Sequence, residues 1–79
     1  MKINLAFNVE HQLGARIRFL RTKSKLTIEE LSLKANVNTS YLSDLERGRR
    51  NPTIKVLSRI AEALEITLSD LLLGVSGVN

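Results

Sequence analysis

The sequence has no cysteine, one histidine (His11), one proline (Pro52) and three aromatic residues, Phe7, Phe19 and Tyr41. Each shortage excludes something. Without cysteine there is no disulfide, no thiolate metal ligand and no cysteine nucleophile. One histidine rules out a multi-histidine metal site. No apolar run approaches the roughly 18 residues of a membrane span. The start, Met1-Lys2-Ile3-Asn4-Leu5, lacks the long apolar stretch of a signal peptide. No nucleophile stands with a base and an orienting third group, so no catalytic residue, metal or cofactor is expected. Binding is the better expectation than catalysis.

What is present points the same way. Seventy-nine residues suit one small domain with a limited core. Hydrophobic residues make up 43% and charged residues 25%, as in globular chains and unlike disordered ones. Twelve Lys and Arg against eight Asp and Glu leave +4, which favours a polyanionic partner. A soluble, cytoplasmic, mildly basic domain is expected.

The net charge conceals a segregation. Residues 1–25 carry +5, residues 26–46 carry −3, residues 47–59 carry +5 and residues 60–79 carry −3. Two basic blocks flank the centre, and the C-terminal end is acidic and apolar. A phosphate-binding side opposite an interaction end has this pattern; so does scattered surface charge.

Few breakers and 3.6-residue periodicity predict helices and no strand. Leu13, Ile17 and Leu20 form one stripe of a first helix over Val9–Lys23. Gly14 sits inside it, either to allow a close helix contact or simply as a tolerated small residue. Thr27 and Glu30 form a capping box that opens a second helix, reaching Ala35. Asn36 suits the turn that follows. Asn38 caps a third helix with Leu42 and Leu45 inward, and Gly48 stops it. Its polar face is Thr39, Ser40, Ser43, Asp44 and Arg47. Arg49-Arg50-Asn51-Pro52 is a basic loop. Thr53 caps a fourth helix through about Leu64, and Thr67 with Asp70 opens a fifth ending near Leu73. The reading is an N-terminal extension (1–8), a five-helix domain (9–73) and a flexible tail (74–79). His11 is expected to face solvent.

The central run, TIEELSLKANVNTSYLSDLERG (27–48), is a capped helix, a short turn and a second capped helix. That is the pattern of a helix-turn-helix. The short turn braces the second helix, and Leu31, Ala35, Val37, Leu42 and Leu45 bury the contact. Small polar residues at its start allow close approach to base edges in a major groove.

Residues 13–73 resemble the phage-repressor-like (Xre-type) helix-turn-helix family of bacterial transcription regulators. The matching pieces are LGARIRFLR (13–21), LTIEELSLKANVNTSYLSDLERG (26–48), NPTIKVLSRIAEALEI (51–66) and LSDLLLG (68–74). ERGRRNPT (46–53) also resembles the controller proteins of restriction–modification systems. The resemblance implies an all-α, compact, five-helix lambda-repressor-like domain whose third helix reads bases through Thr39, Ser40, Asp44 and Arg47, with Ser43 nearby. Arg47 suits a guanine; Asp44 accepts from cytosine, orients Arg47 or faces solvent. The resemblance also implies phosphate contacts at helix N-termini, at Thr27 and Ile28 and at Asn51 and Thr53. Arg49, Arg50 and Lys55 are the cationic partners. It further implies a structural pair between Arg21 and Glu46. Three positions depart from the family pattern: Asn36 replaces a turn glycine, Ser32 replaces an alanine, and Ile28 replaces a DNA-contacting glutamine. A buried Ser32 needs a partner, expected to be a carbonyl four residues earlier.

Specific reading needs two half-sites about one helical turn apart, hence a two-fold homodimer on a pseudo-palindromic operator. The expected dimer surface is Ile66, Leu68, Leu71, Leu72, Leu73 and Val75. Such a dimer represses by occluding RNA polymerase or activates by contacting it. No ligand-sensing domain is legible and no small-molecule ligand is expected, so control through concentration is expected. The competing reading is an antitoxin-type interaction module, whose apolar end holds another protein.

Overall fold

The computed structural model describes residues 8–76. They form five helices: α1 (Val9–Lys23), α2 (Ile28–Ala35), α3 (Thr39–Glu46), α4 (Ile54–Ala63) and α5 (Leu68–Leu71). No strand occurs among the described residues. None of the described helices is long and apolar enough to cross a membrane.

Every helix starts on a side-chain cap. Asn8, Thr27, Asn38, Thr53 and Thr67 each accept the backbone N–H three residues on. Each such cap contributes about 1 kcal/mol. At α2 the box closes fully, because the Thr27 N–H also donates to Glu30 Oε1 at 2.8 Å. Asn8 caps α1 from the residue before it; residues 1–7 lie outside the described residues.

Exits from the helices use left-handed residues. Asn36 at φ 56° ends α2, as its residue type suggests. Lys25 and Glu65, both at φ 60°, do the same in the turns after α1 and α4. Neither is a residue type that advertises this geometry. Leu64 is the C-cap of α4 rather than its last residue. The fifth helix stops at Leu71, two residues earlier than expected, with Leu72 as its cap.

Helices this short are marginal alone, so packing holds them. The core is Leu13 and Ile17 of α1, Leu31 and Ala35 of α2, Leu42 and Leu45 of α3, Leu57, Ile60 and Ala61 of α4, Leu64 and Leu71. α1 packs on α3 and α5, α2 on α3 and α4, and α4 on α5. Two arginines tie helix ends together. Arg16 donates to the Asp70 carbonyl at 2.8 Å, and Arg59 to the Ala35 carbonyl at 3.2 Å.

Gly14 proves to be more than a tolerated residue. It is buried, and a Cβ there would lie 2.5 Å from the Leu45 oxygen and 2.6 Å from the Glu46 oxygen. The missing side chain lets α1 lie against the end of α3. Gly14→Ala gains about 1 kcal/mol of helix propensity. It also drives a methyl into backbone that cannot rotate away, at a cost of about 3 kcal/mol. The expected net result is a melting temperature lower by about 10 °C in thermal unfolding.

The segment after α5 is tied down as far as Ser76. Val75 packs on the core, its N–H donates to the Leu72 carbonyl at 2.9 Å, and the Ser76 N–H donates to Gln12 Oε1 at 2.9 Å. Residues 77–79 of the expected tail lie outside the described residues.

Candidate nucleic-acid interface

Two elements adjoin α3: Ile28 at the start of α2 shares a cleft with Ser43 and Arg47, and the loop leading into α4 bonds back to Asp44. α3 is placed by a clamp. Arg21, near the end of α1, donates Nε–H to Glu46 Oε2 at 2.6 Å and Nη2–H to Glu46 Oε1 at 3.0 Å. Its Nη1–H reaches the Leu26 carbonyl at 2.9 Å. The two side chains are 14% and 6% exposed. Such a two-pronged pair fixes direction as well as distance. The Glu46 hydrogen bond, reinforced by the carboxylate charge, holds the Arg21 guanidinium above its ordinary value against the opposing effect of burial.

The expected base-reading residues do not stand alike. Ser40 and Arg47 are exposed; Thr39, Ser43 and Asp44 are half-buried. Asp44 faces two arginines, Arg50 at 3.4 Å and Arg47 at 3.9 Å. Its carboxylate is already offset by cations, which explains an acid on a basic face. Exposed pairs of this kind contribute little to stability. The Arg50 guanidinium also stacks 5.4 Å from the centre of the Tyr41 ring. The Arg49 N–H donates to the Asp44 carbonyl at 2.9 Å. The basic loop is thereby laid along α3 rather than left loose.

Ser32 is buried, and its hydroxyl donates to the Glu29 carbonyl at 2.9 Å. That carbonyl is three residues earlier, not the four expected. A second partner, Thr39 Oγ1 at 2.8 Å, joins α2 to the first turn of α3.

Proton accounting sorts the expected phosphate contacts. Thr27 cannot offer its N–H, which Glu30 holds. Its hydroxyl oxygen accepts from Glu30 N–H, so its own O–H proton remains available to donate. Thr53 is in the same state, accepting from Val56 N–H at 3.1 Å. A phosphate only accepts, so both hydroxyls match it. The first-turn N–H groups after each cap, including that of Ile28, lack intrahelical partners and carry the positive end of the helix dipole. The Ile28 side chain itself packs on the core. Asn51, Arg49 and Lys55 are exposed, and neither cation joins an ion pair among the described residues.

A helix-turn-helix family model matches residues 17–71. The chain belongs to the Xre-type helix-turn-helix family of DNA-binding transcriptional regulators. It is 42% identical over 64 residues to the HTH-type transcriptional regulator DdrOP3 of Deinococcus deserti, covering 81% of this chain and 50% of that protein. It is 46% identical over 57 residues to the immunity repressor protein of Bacillus phage phi105, covering 72% of this chain and 40% of that one. The chain thus spans half or less of these two relatives. The crystal structure of the restriction-modification controller protein C.AhdI from Aeromonas hydrophila superposes with a TM-score of 0.76 at 34% identity, covering 77% of this chain and 92% of that one.

In this helix-turn-helix domain the residues of the expected dimer surface differ in exposure. Leu71 is 0% exposed and belongs to the core, so it presents nothing to a partner. Ile66, Leu68, Leu72 and Val75 are half-buried against that core. Leu73 alone of the six stands out, at 68% exposed. Of the leucine triplet that closes α5 and follows it, Leu73 is the one that faces outward. It shares a shallow groove with Phe19, Ala15 and Val75, on the side where α1 meets the C-terminal segment. Phe19 is also exposed and carries Arg16 and Lys23 each 5.8 Å from its ring centre.

Sequence reasoning missed this role of α1, because Phe19 lies off its core stripe. The Arg21–Glu46 pair stands as expected, but sequence reasoning missed that Arg16 and Arg59 are held by distant backbone carbonyls. His11 is exposed as expected, yet its Nδ1 lies 2.9 Å from Asn8 Oδ1 and its ring lies where a side chain on Gly48 would sit.

Proposed function

We propose that this chain is a sequence-specific regulator of transcription. It binds a pseudo-palindromic double-stranded operator as a homodimer, with α3 in the major groove. The observation that carries this reading is the clamped α3. It presents Thr39, Ser40, Ser43, Asp44 and Arg47, while the capped starts of α2 and α4 offer hydroxyl protons at Thr27 and Thr53. Arg47 reads bases, while Arg49, Lys55, Asn51 and the capped helix starts hold phosphates. Arg50, paired with Asp44 and stacked on Tyr41, serves both the phosphates and the posture of the loop. The dimer forms through the Leu73 groove and the half-buried residues beside it. Bound beside a promoter in the bacterial cytoplasm, it occludes RNA polymerase or contacts it. No cofactor or ligand enters this scheme.

The second reading, a module that holds a different small protein, draws on the same exposed groove. Selection from a random duplex pool separates the two. A homodimeric regulator enriches two inverted half-sites with centres about 34 Å apart. Enrichment of a single half-site, or of none, goes against the homodimer.

A further inference from the structure

Resting on the reading of α3 as the base-reading helix, we infer that Ser32 sets the base preference of Thr39 by taking up its hydroxyl proton. Ser32 is 3% exposed, so its influence on a base passes through Thr39. It acts as a positioning residue.

A hydroxyl has one proton and two lone pairs. Ser32 Oγ lies 2.9 Å from the Glu29 carbonyl oxygen, and a carbonyl only accepts. The Ser32 proton is therefore committed to Glu29. With any other orientation, two oxygen lone pairs would face each other at that distance in a buried site, and the contact would repel. The contact of 2.8 Å between Ser32 Oγ and Thr39 Oγ1 then needs a proton, and only Thr39 has one to give. Thr39 donates inward. What it turns outward is lone pairs and a methyl group.

Thr39 is thus the reverse of Thr27 and Thr53, whose oxygens are occupied by backbone N–H groups and whose protons point outward. The capping threonines suit phosphate, and Thr39 suits a donor. In the major groove the donors are the amino groups of adenine (N6) and cytosine (N4). Guanine O6 and N7, adenine N7 and thymine O4 are acceptors that meet a lone pair of Thr39 unfavourably, while the thymine methyl matches only the threonine methyl. With an alanine at position 32 the same Thr39 would keep its proton and read either kind of edge.

Selection from a random duplex pool with four proteins tests this: the unmodified chain, Thr39→Val, Thr39→Ser and Ser32→Ala. Thr39→Val identifies the base position that Thr39 reads, as the one where preference is lost. At that base pair, replacing adenine by purine or cytosine by 2-pyrimidinone, which removes only the amino group, should weaken binding of the unmodified chain by roughly 3- to 10-fold, the range for one hydrogen bond. Thr39→Ser keeps both the hydroxyl and Ser32, so it should keep the preference and this loss. Ser32→Ala should lose the preference and bind the intact and amino-less duplexes alike, with the other positions unchanged. An amino-less duplex that the unmodified chain binds as tightly as the intact one overturns the proposal, as does an unchanged profile in a folded Ser32→Ala protein. Loss of preference in Thr39→Ser also overturns it, and does not depend on how Ser32→Ala folds. If the unmodified chain enriches no sequence, the base-reading role of α3 fails as well. Enrichment elsewhere in the site with an unchanged Ser32→Ala profile sinks only the proton assignment.

Discussion

Glu46→Ala should lower the stability of the domain by about 3 kcal/mol, the low end of the cost of removing one partner from a buried ion pair. The melting temperature should fall by roughly 15 °C in a domain of this size. The carboxylate accepts two of the three hydrogen bonds that Arg21 makes, and the Arg21 side chain is only 14% exposed. Without Glu46 the guanidinium keeps only the Leu26 carbonyl and stays largely out of water. It cannot escape by losing its proton, because an arginine remains charged at any pH at which a protein folds. The cost is therefore that of a stranded charge rather than of a missing attraction. A control makes the distinction: Arg21→Met combined with Glu46→Leu removes both charges and fills the space, and should recover most of the stability. If the double variant is as unstable as Glu46→Ala, the stranded-charge account is wrong. Glu46 also ends α3, so specific DNA affinity should fall even where the single variant remains folded.

The second large effect separates recognition from attraction. Arg47→Ala should cost about 1–3 kcal/mol on the preferred operator and much less on random DNA, because a bidentate arginine discriminates between bases. Arg49→Ala with Lys55→Ala should weaken both DNAs alike. It should also reduce the steepness of the salt dependence by about 2, since each phosphate that a cation neutralises adds about 0.9 to the slope. Binding isotherms on two duplexes at several salt concentrations give all of these quantities. Equal losses on both duplexes for Arg47→Ala would remove it from the base-reading set. Arg47 stands 3.9 Å from Asp44, so part of its effect is release of that carboxylate toward the phosphates. Asp44→Asn, measured in parallel, isolates that part.

Much of the fold was legible because its signals are local. A capping threonine or asparagine acts on an N–H three residues away, so Thr27, Asn38, Thr53 and Thr67 marked helix starts without knowledge of the rest of the chain. Helical periodicity placed Leu13, Ile17, Leu42 and Leu45 inside for the same reason. The polar face of α3 and the basic loop after it were likewise visible as a run of residue types.

The charge blocks were less informative than their totals suggested. Of the five cations in residues 47–59, Arg59 binds the end of α2, and Arg47 and Arg50 are shared with Asp44. Arg16 and Arg21 from the first block are likewise held by the fold. A count of charge cannot separate an arginine that caps a distant carbonyl from one that waits for a phosphate. The difference lies in partners far apart in the chain.

By itself, then, the sequence determined the five helices, four of their five caps, most of the core and the family, since each rests on spacing within a few residues or on motif order. Only the tertiary structure decided how close α1 lies to α3 at Gly14. It alone showed that Leu71 is core while Leu73 is surface, and which proton Thr39 has left to offer. Those depend on atoms brought together across the chain: Gly14 on the Leu45 carbonyl, Leu71 on the packing of α5, Thr39 on Ser32. A hydroxyl looks the same in any sequence. Whether it donates or accepts is set by the neighbour that reaches it first, and folding chooses that neighbour.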